Sequence, residues 1–162
     1  MARMDEVARR WASGDGKRLK GGSASYREDR LYSWGTCIGR LVDSVEGRVA
    51  LITNLQYSDS TSRLTNLAVA MAGKADLPVF RVEMVGTDPP SYAKNLAAYE
   101  AREASWKDKS RRARNDHSAV SYLQQAEQVA REGRRYRQLF AHPKPHTNPP
   151  SGMPDAIPAL QD

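Results

Sequence analysis

The sequence predicts an α+β fold: a small β-β-α-β antiparallel core over residues 31–86, then C-terminal helices over residues 87–141. Three observations carry this prediction. Two runs rich in β-formers flank the turn residues Asp43 to Gly47. An apolar stripe of period 3.6 follows Tyr57, and a third short apolar run follows that. Asp88-Pro89-Pro90 then opens a long segment of helical periodicity.

Taken in order, residues 3–12 form a short amphipathic helix, because Met4, Val7, Ala8 and Trp11 fall at i, i+3, i+4 and i+7. Gly14 and Gly16 end it. Residues 14–30 are rich in Gly, Ser, Lys and Arg and read as a flexible basic segment, so residues 1–30 make a basic leader with one helix. From Leu31, the large side chains Tyr32, Trp34, Thr36, Ile38 and Val42 alternate with Ser33, Gly35, Cys37, Gly39 and Leu41, the period of one strand. Small residues on one face of it permit close approach of another element. Val49 to Leu55 is its antiparallel partner.

A helix follows, capped by Asp59 or Ser60, whose short side-chain oxygens accept from first-turn amides. Leu64, Leu67, Ala68 and Met71 make its buried stripe, and Gly73 marks its end. Leu77 to Val85 reads as a third strand, with Arg81 and Glu83 toward water. Asp88 is the N-cap of the next helix and Pro89 its first residue, where a missing N–H costs nothing. The stripe runs through Tyr92, Leu96, Tyr99 and Trp106, breaks over residues 107–118, and resumes from Ala119 to Phe140. A helical hairpin and one long helix with a solvated middle both fit. Residues 142–162, with Pro143, Pro145, Pro149, Pro150 and Pro154, read as an extended, disordered tail.

The 162 residues carry a net charge of +6, which favours a polyanionic partner. No stretch approaches the roughly 18 apolar residues that span a membrane, and Met1 to Glu6 lacks the apolar core of a signal peptide. A cytoplasmic protein is the expectation. Cys37 is the only cysteine and reads as a buried structural thiol.

Chemistry-bearing patterns are sparse. His142 and His146 sit four apart, but Pro143 and Pro145 forbid the helix that would align them, so no metal or other cofactor is expected. Ser33, Ser58, Ser60 and Ser62 occupy no nucleophile elbow. Tyr57 or Tyr32 with Arg63 lacks the further cations that phosphoryl transfer requires. Gly14-Asp15-Gly16-Lys17 lacks both the preceding strand and the hydroxyl of a phosphate loop. No catalytic residue is expected.

Basic clusters remain as candidate binding groups. Lys17, Arg18 and Lys20 precede the core. Lys107 to Arg137 holds nine Lys/Arg against four acids, a net of +5. Within it Lys107, Lys109, Arg111, Arg112, Arg114, Arg131, Arg134 and Arg135 are the expected phosphate-contacting groups. Tyr99, Trp106 and Tyr122 could stack bases, but their helical spacing favours packing.

Tyr32-Ser33-Trp34-Gly35-Thr36-Cys37-Ile38 and Tyr57-Ser58-Asp59-Ser60-Thr61-Ser62-Arg63 resemble a group of small bacteriophage and mobile-element proteins. The shared pattern is a Tyr-Ser-x-Gly-Thr-x-Ile strand and a Tyr-Ser-x-x-Thr-Ser-Arg/Lys helix start. It covers about residues 30–72, and Leu64 stands where such proteins often carry His. The resemblance implies a phage or mobile-element context and a domain, and assigns no functional residues. The expected function is therefore a non-enzymatic accessory protein that binds nucleic acid through its basic helices. The alternative is an inhibitor of a host nucleoprotein machine such as a CRISPR effector.

Overall fold

The computed structural model describes residues 2–141. The expected proline-rich tail, with His142 and His146, lies outside the described residues. The order is α1 (Met4–Ser13), β1 (Arg18–Gly21), β2 (Ala24–Arg27), β3 (Arg30–Ser33), β4 (Thr36–Ser44), β5 (Gly47–Thr53), α2 (Asp59–Lys74), β6 (Val79–Val82), α3 (Pro89–Arg111) and α4 (Asp116–Phe140). The class is α+β as expected, with the helical hairpin realised at the C-terminal end.

The sheet is larger than the expected core. Six strands lie in sequential order. All neighbours are antiparallel except β5 and β6, which run parallel through the α2 crossover, so the sheet is mixed. Three sequence expectations change here. The basic segment 14–30 is a hairpin, because Leu19 and Tyr26 pair across β1 and β2 and face the core together. The single strand from Tyr32 to Val42 is two strands, folded at Trp34-Gly35, both of which have positive φ (52° and 81°), the signature of a type I′ hairpin turn. The α2 cap is Ser58, whose Oγ accepts from Thr61 N, so capping falls one residue before the expected Asp59 or Ser60.

Two apolar layers sandwich the sheet. On one face α1 and α2 cover Ala24, Tyr26, Leu31, Ile38, Leu41, Ala50 and Ile52. Trp11 is fully buried there and its indole Nε1 donates to Asp29 O at 2.8 Å. Gly39 makes room for it, since a Cβ at that position would stand 3.2 Å from the indole ring. On the other face Tyr99, Tyr136 and Leu139 of α3 and α4 pack on Val42, Val49, Leu51, Phe80 and Val82. This second layer reaches only β4, β5 and β6.

The free edge of β6 would leave polar backbone groups without strand partners. Helical side chains supply them. Glu132 accepts from Arg81 N at 2.9 Å, and Arg102 donates to Arg81 O at 2.9 Å. Arg81, expected to face water, is half-buried and donates to Thr53 O. Fully buried Asn95 bonds the backbone of Glu83 and Met84. The α3–α4 hairpin thus docks by side-chain-to-backbone bonds as well as by apolar burial.

Two carboxylates fix the loops at the N-terminal ends of β1 and α3. Asp15 accepts from Lys17 N at 2.9 Å and Tyr26 Oη at 2.8 Å and pairs with Arg10 at 3.3 Å. These contacts, the Lys17 amide first, hold its pKa below the ordinary 3.8. Asp88 caps α3, and its bond from the Ser91 hydroxyl lowers it likewise. A depressed folded-state pKa contributes stability that is present above the unfolded value and is lost as pH falls through the folded value. The melting temperature is therefore expected to fall as pH drops below about 3.8, and Asp15→Asn to make that acid limb shallower, as read by thermal melts between about pH 2 and 5.

Candidate nucleic-acid interface

One row of paired residues crosses the whole sheet. Arg18 pairs with Arg27, Arg27 with Arg30, Arg30 with Arg40, Arg40 with Leu51, and Leu51 with Phe80. The apolar end of the row lies under the α3–α4 hairpin, since Leu51 and Phe80 belong to that layer. The four arginines continue the row on the same face beyond this layer, with Arg30 and Arg40 lining a recess that Asp88 and Ser91 at the start of α3 border. At a strand spacing near 4.8 Å the ladder is about 14 Å long.

A second row lies beside the first. Lys20 pairs with Ser25, Ser25 with Tyr32, and Tyr32 with Cys37, where a bulge shifts the register. Arg27 Cζ lies 5.9 Å from the Tyr32 ring centroid. An open recess of about 660 Å³ is lined by Arg18, Lys20, Ser25, Arg27, Tyr32 and Gly35, among others. Asp29 pairs with Arg40 at 3.2 Å. Among the described residues, no carboxylate lies within 4.0 Å of a charged nitrogen of Arg18, Lys20, Arg27 or Arg30.

Like charges directly opposite in a sheet cost roughly 0.2–1 kcal/mol each. Three successive Arg–Arg pairs with a single ion pair among them are an arrangement that folding alone disfavours. Such local conflicts concentrate where a surface does something else.

The two Tyr-Ser segments meet at the end of the sheet where α2 starts. Ser33 Oγ and Thr61 Oγ1 are 2.7 Å apart, and Trp34 Nε1 donates to Ser60 Oγ at 3.1 Å. Ser58 Oγ lies 3.1 Å from both Ser60 Oγ and Thr61 Oγ1. These hydroxyls satisfy one another and the α2 cap. Trp34 is different in kind: it is 72% exposed and sits in the left-handed region. That conformation costs an L-residue about 1–2 kcal/mol, and burial returns little of it here. Tyr57 is also exposed, at 52%.

The expected site residues divide. Arg18 and Lys20 join the open face, with Lys17 exposed just before β1. The helical cations do not gather into one patch. Lys107 pairs with Glu103 at 2.7 Å, and Arg111 and Arg112 pair with Asp108 at 3.3 and 2.8 Å. Arg131 and Arg134 share Glu127, and Arg135 reaches Glu46 at 2.9 Å. Lys109 lies over the Trp106 ring at 4.4 Å, and Arg114 is exposed in the α3–α4 turn. Arg131 is about 22 Å along α4 from its start, so the two groups occupy different ends of the hairpin. Tyr99 is buried, and Trp106 and Tyr122 stack on each other at 5.8 Å.

Arg27, Arg30 and Arg40 escaped sequence reasoning. The signal was present as Leu19 and Tyr26 alternating with charged neighbours and as Gly22-Ser23 between them, a turn pattern in a stretch read as linker. Cys37 lies half-buried in the second row, and burial pushes its thiol pKa up, which keeps it protonated and unreactive. Among the described residues no three His, Cys, Asp or Glu side chains converge to hold a metal ion, and no helix is long and apolar enough to cross a membrane. Protein-family models, curated proteins and solved structures yield no match to this chain.

Proposed function

We propose that this protein binds nucleic acid as a non-enzymatic accessory factor, and that the open face of β1–β4 makes the contact. The observation that carries this reading is the Arg18–Arg27–Arg30–Arg40 ladder, a row of like charges whose mutual repulsion a phosphate backbone would relieve. Guanidinium groups suit this task, since their planar forks bond phosphate oxygens in pairs. The reading keeps the nucleic-acid partner expected from the net charge and moves the contact from the helices to the sheet. The likeness of the two Tyr-Ser segments to small phage and mobile-element proteins supports a role in such an element.

The test is fluorescence anisotropy of labelled oligonucleotides across a salt series. Ladder binding predicts a log–log salt slope of about −3 to −4.5, from four or five phosphates neutralised. Undetectable binding at low salt, or affinity indifferent to salt, would sink the proposal. The second reading, an inhibitor of a host nucleoprotein machine, draws on exposed Leu55, Tyr57 and Met84 at the rim of a recess that also contains Arg30 and Arg40. A partner captured from host lysate and retained after nuclease treatment would favour it.

A further inference from the structure

We infer that the nucleic acid held by the ladder is single-stranded, with one base stacked on Tyr32 and another on Trp34. This rests on the proposed nucleic-acid reading and specifies its substrate. A duplex needs only the charges, because its bases already stack on their neighbours. The interface offers more than charge. Tyr32 is half-exposed in the row beside the arginines and lines the recess with Arg18, Lys20 and Arg27. That recess, about 660 Å³, has room for a planar base against the ring. The recess wall continues through Gly35 into the turn that carries Trp34.

Trp34 supplies the second, independent observation. Its φ of 52° belongs to glycine or asparagine, and the indole is 72% exposed, so neither turn geometry nor core packing selects tryptophan there. The bond from its Nε1 to Ser60 Oγ holds the ring in one orientation against the first turn of α2. Trp34 stands one turn from the recess, past Gly35 and on the side of the sheet end that α2 occupies, where a fixed, exposed aromatic can take the next unpaired base of a strand leaving the recess in a sequence-tolerant way.

The experiment compares the full chain on a labelled oligothymidylate and on a hairpin duplex of equal charge, at one salt concentration, by anisotropy. Single strand is expected to bind at least about tenfold tighter. Tyr32→Ala and Trp34→Ala are each expected to weaken single-strand binding about 5- to 150-fold and to leave duplex binding unchanged. Tyr32→Phe should retain affinity. Trp34→Asn should lose single-strand affinity without a lower melting temperature, because asparagine tolerates the left-handed turn; this separates a binding role from a structural one. Equal or tighter duplex binding, or unchanged single-strand affinity in both alanine variants, overturns the inference and leaves the ladder standing. Absence of salt-dependent binding to either form overturns the ladder reading and this inference with it.

Discussion

Arg27→Glu is expected to weaken nucleic-acid binding by at least about tenfold while making the folded protein more stable. The two effects come from one geometry. Arg27 stands between Arg18 on one strand and Arg30 on the other. A carboxylate there replaces two like-charge pairs with two opposite-charge pairs, each worth roughly 0.2–1 kcal/mol. On the proposed reading the same change removes a charge-assisted bond to phosphate, worth about 1.5–3 kcal/mol, and adds repulsion. Arg27→Ala should reduce the salt slope by about 0.7–0.9, one phosphate's share. Urea denaturation and anisotropy on the same sample check both halves. Stability gained without affinity lost would make the ladder a frustrated surface with no bearing on nucleic acid.

Asn95→Leu is expected to destabilise the fold by about 3 kcal/mol, although leucine fills much the same volume. Asn95 is fully buried. Its Oδ1 accepts from Glu83 N at 3.1 Å and Met84 N at 2.7 Å, and its Nδ2 donates to Met84 O at 2.8 Å and Tyr136 Oη at 3.0 Å. Leucine leaves two backbone N–H groups and a carbonyl at this part-buried edge, and the buried Tyr136 hydroxyl, without their partner, and an orphaned buried group costs about 1–3 kcal/mol. The loss falls on the seam between β6 and the helical hairpin. The open face is formed by β1–β4 and does not depend on that seam, so the folded fraction should bind nucleic acid like the parent chain. Denaturant melts read the first effect, and anisotropy below the transition reads the second. A loss under about 1 kcal/mol would mean that other groups satisfy this edge.

Much of the helical architecture was legible. Val7, Ala8 and Trp11 are buried in α1, Gly14 ends it in the left-handed region, and Asp88 with Pro89 opens α3. Helix starts and buried stripes are local properties, carried by residues within a few positions of one another. The sheet was legible where apolar runs mark its strands, which includes the four-residue β6 within the expected run Leu77 to Val85. β4 and β5, of nine and seven residues, came through as apolar runs, whereas β1, β2 and β3 have four residues each, too few to display alternation against a basic background. Trp34-Gly35 hid a hairpin because tryptophan is foreign to the position it occupies there.

By itself the sequence determined an α+β class, the positions of its helices and an excess of positive charge. The tertiary structure decided where that charge gathers. Arg18, Arg27, Arg30 and Arg40 share no period along the chain, and only the turn lengths and register of four strands bring them into one row. The extent of the α3–α4 hairpin then decided which half of the row is buried as Leu51 and Phe80 and which half faces outward as arginine. Strand pairing is a non-local choice, made by burial of the opposite face against α1 and α2, and a one-residue slip would send every one of these side chains into that core.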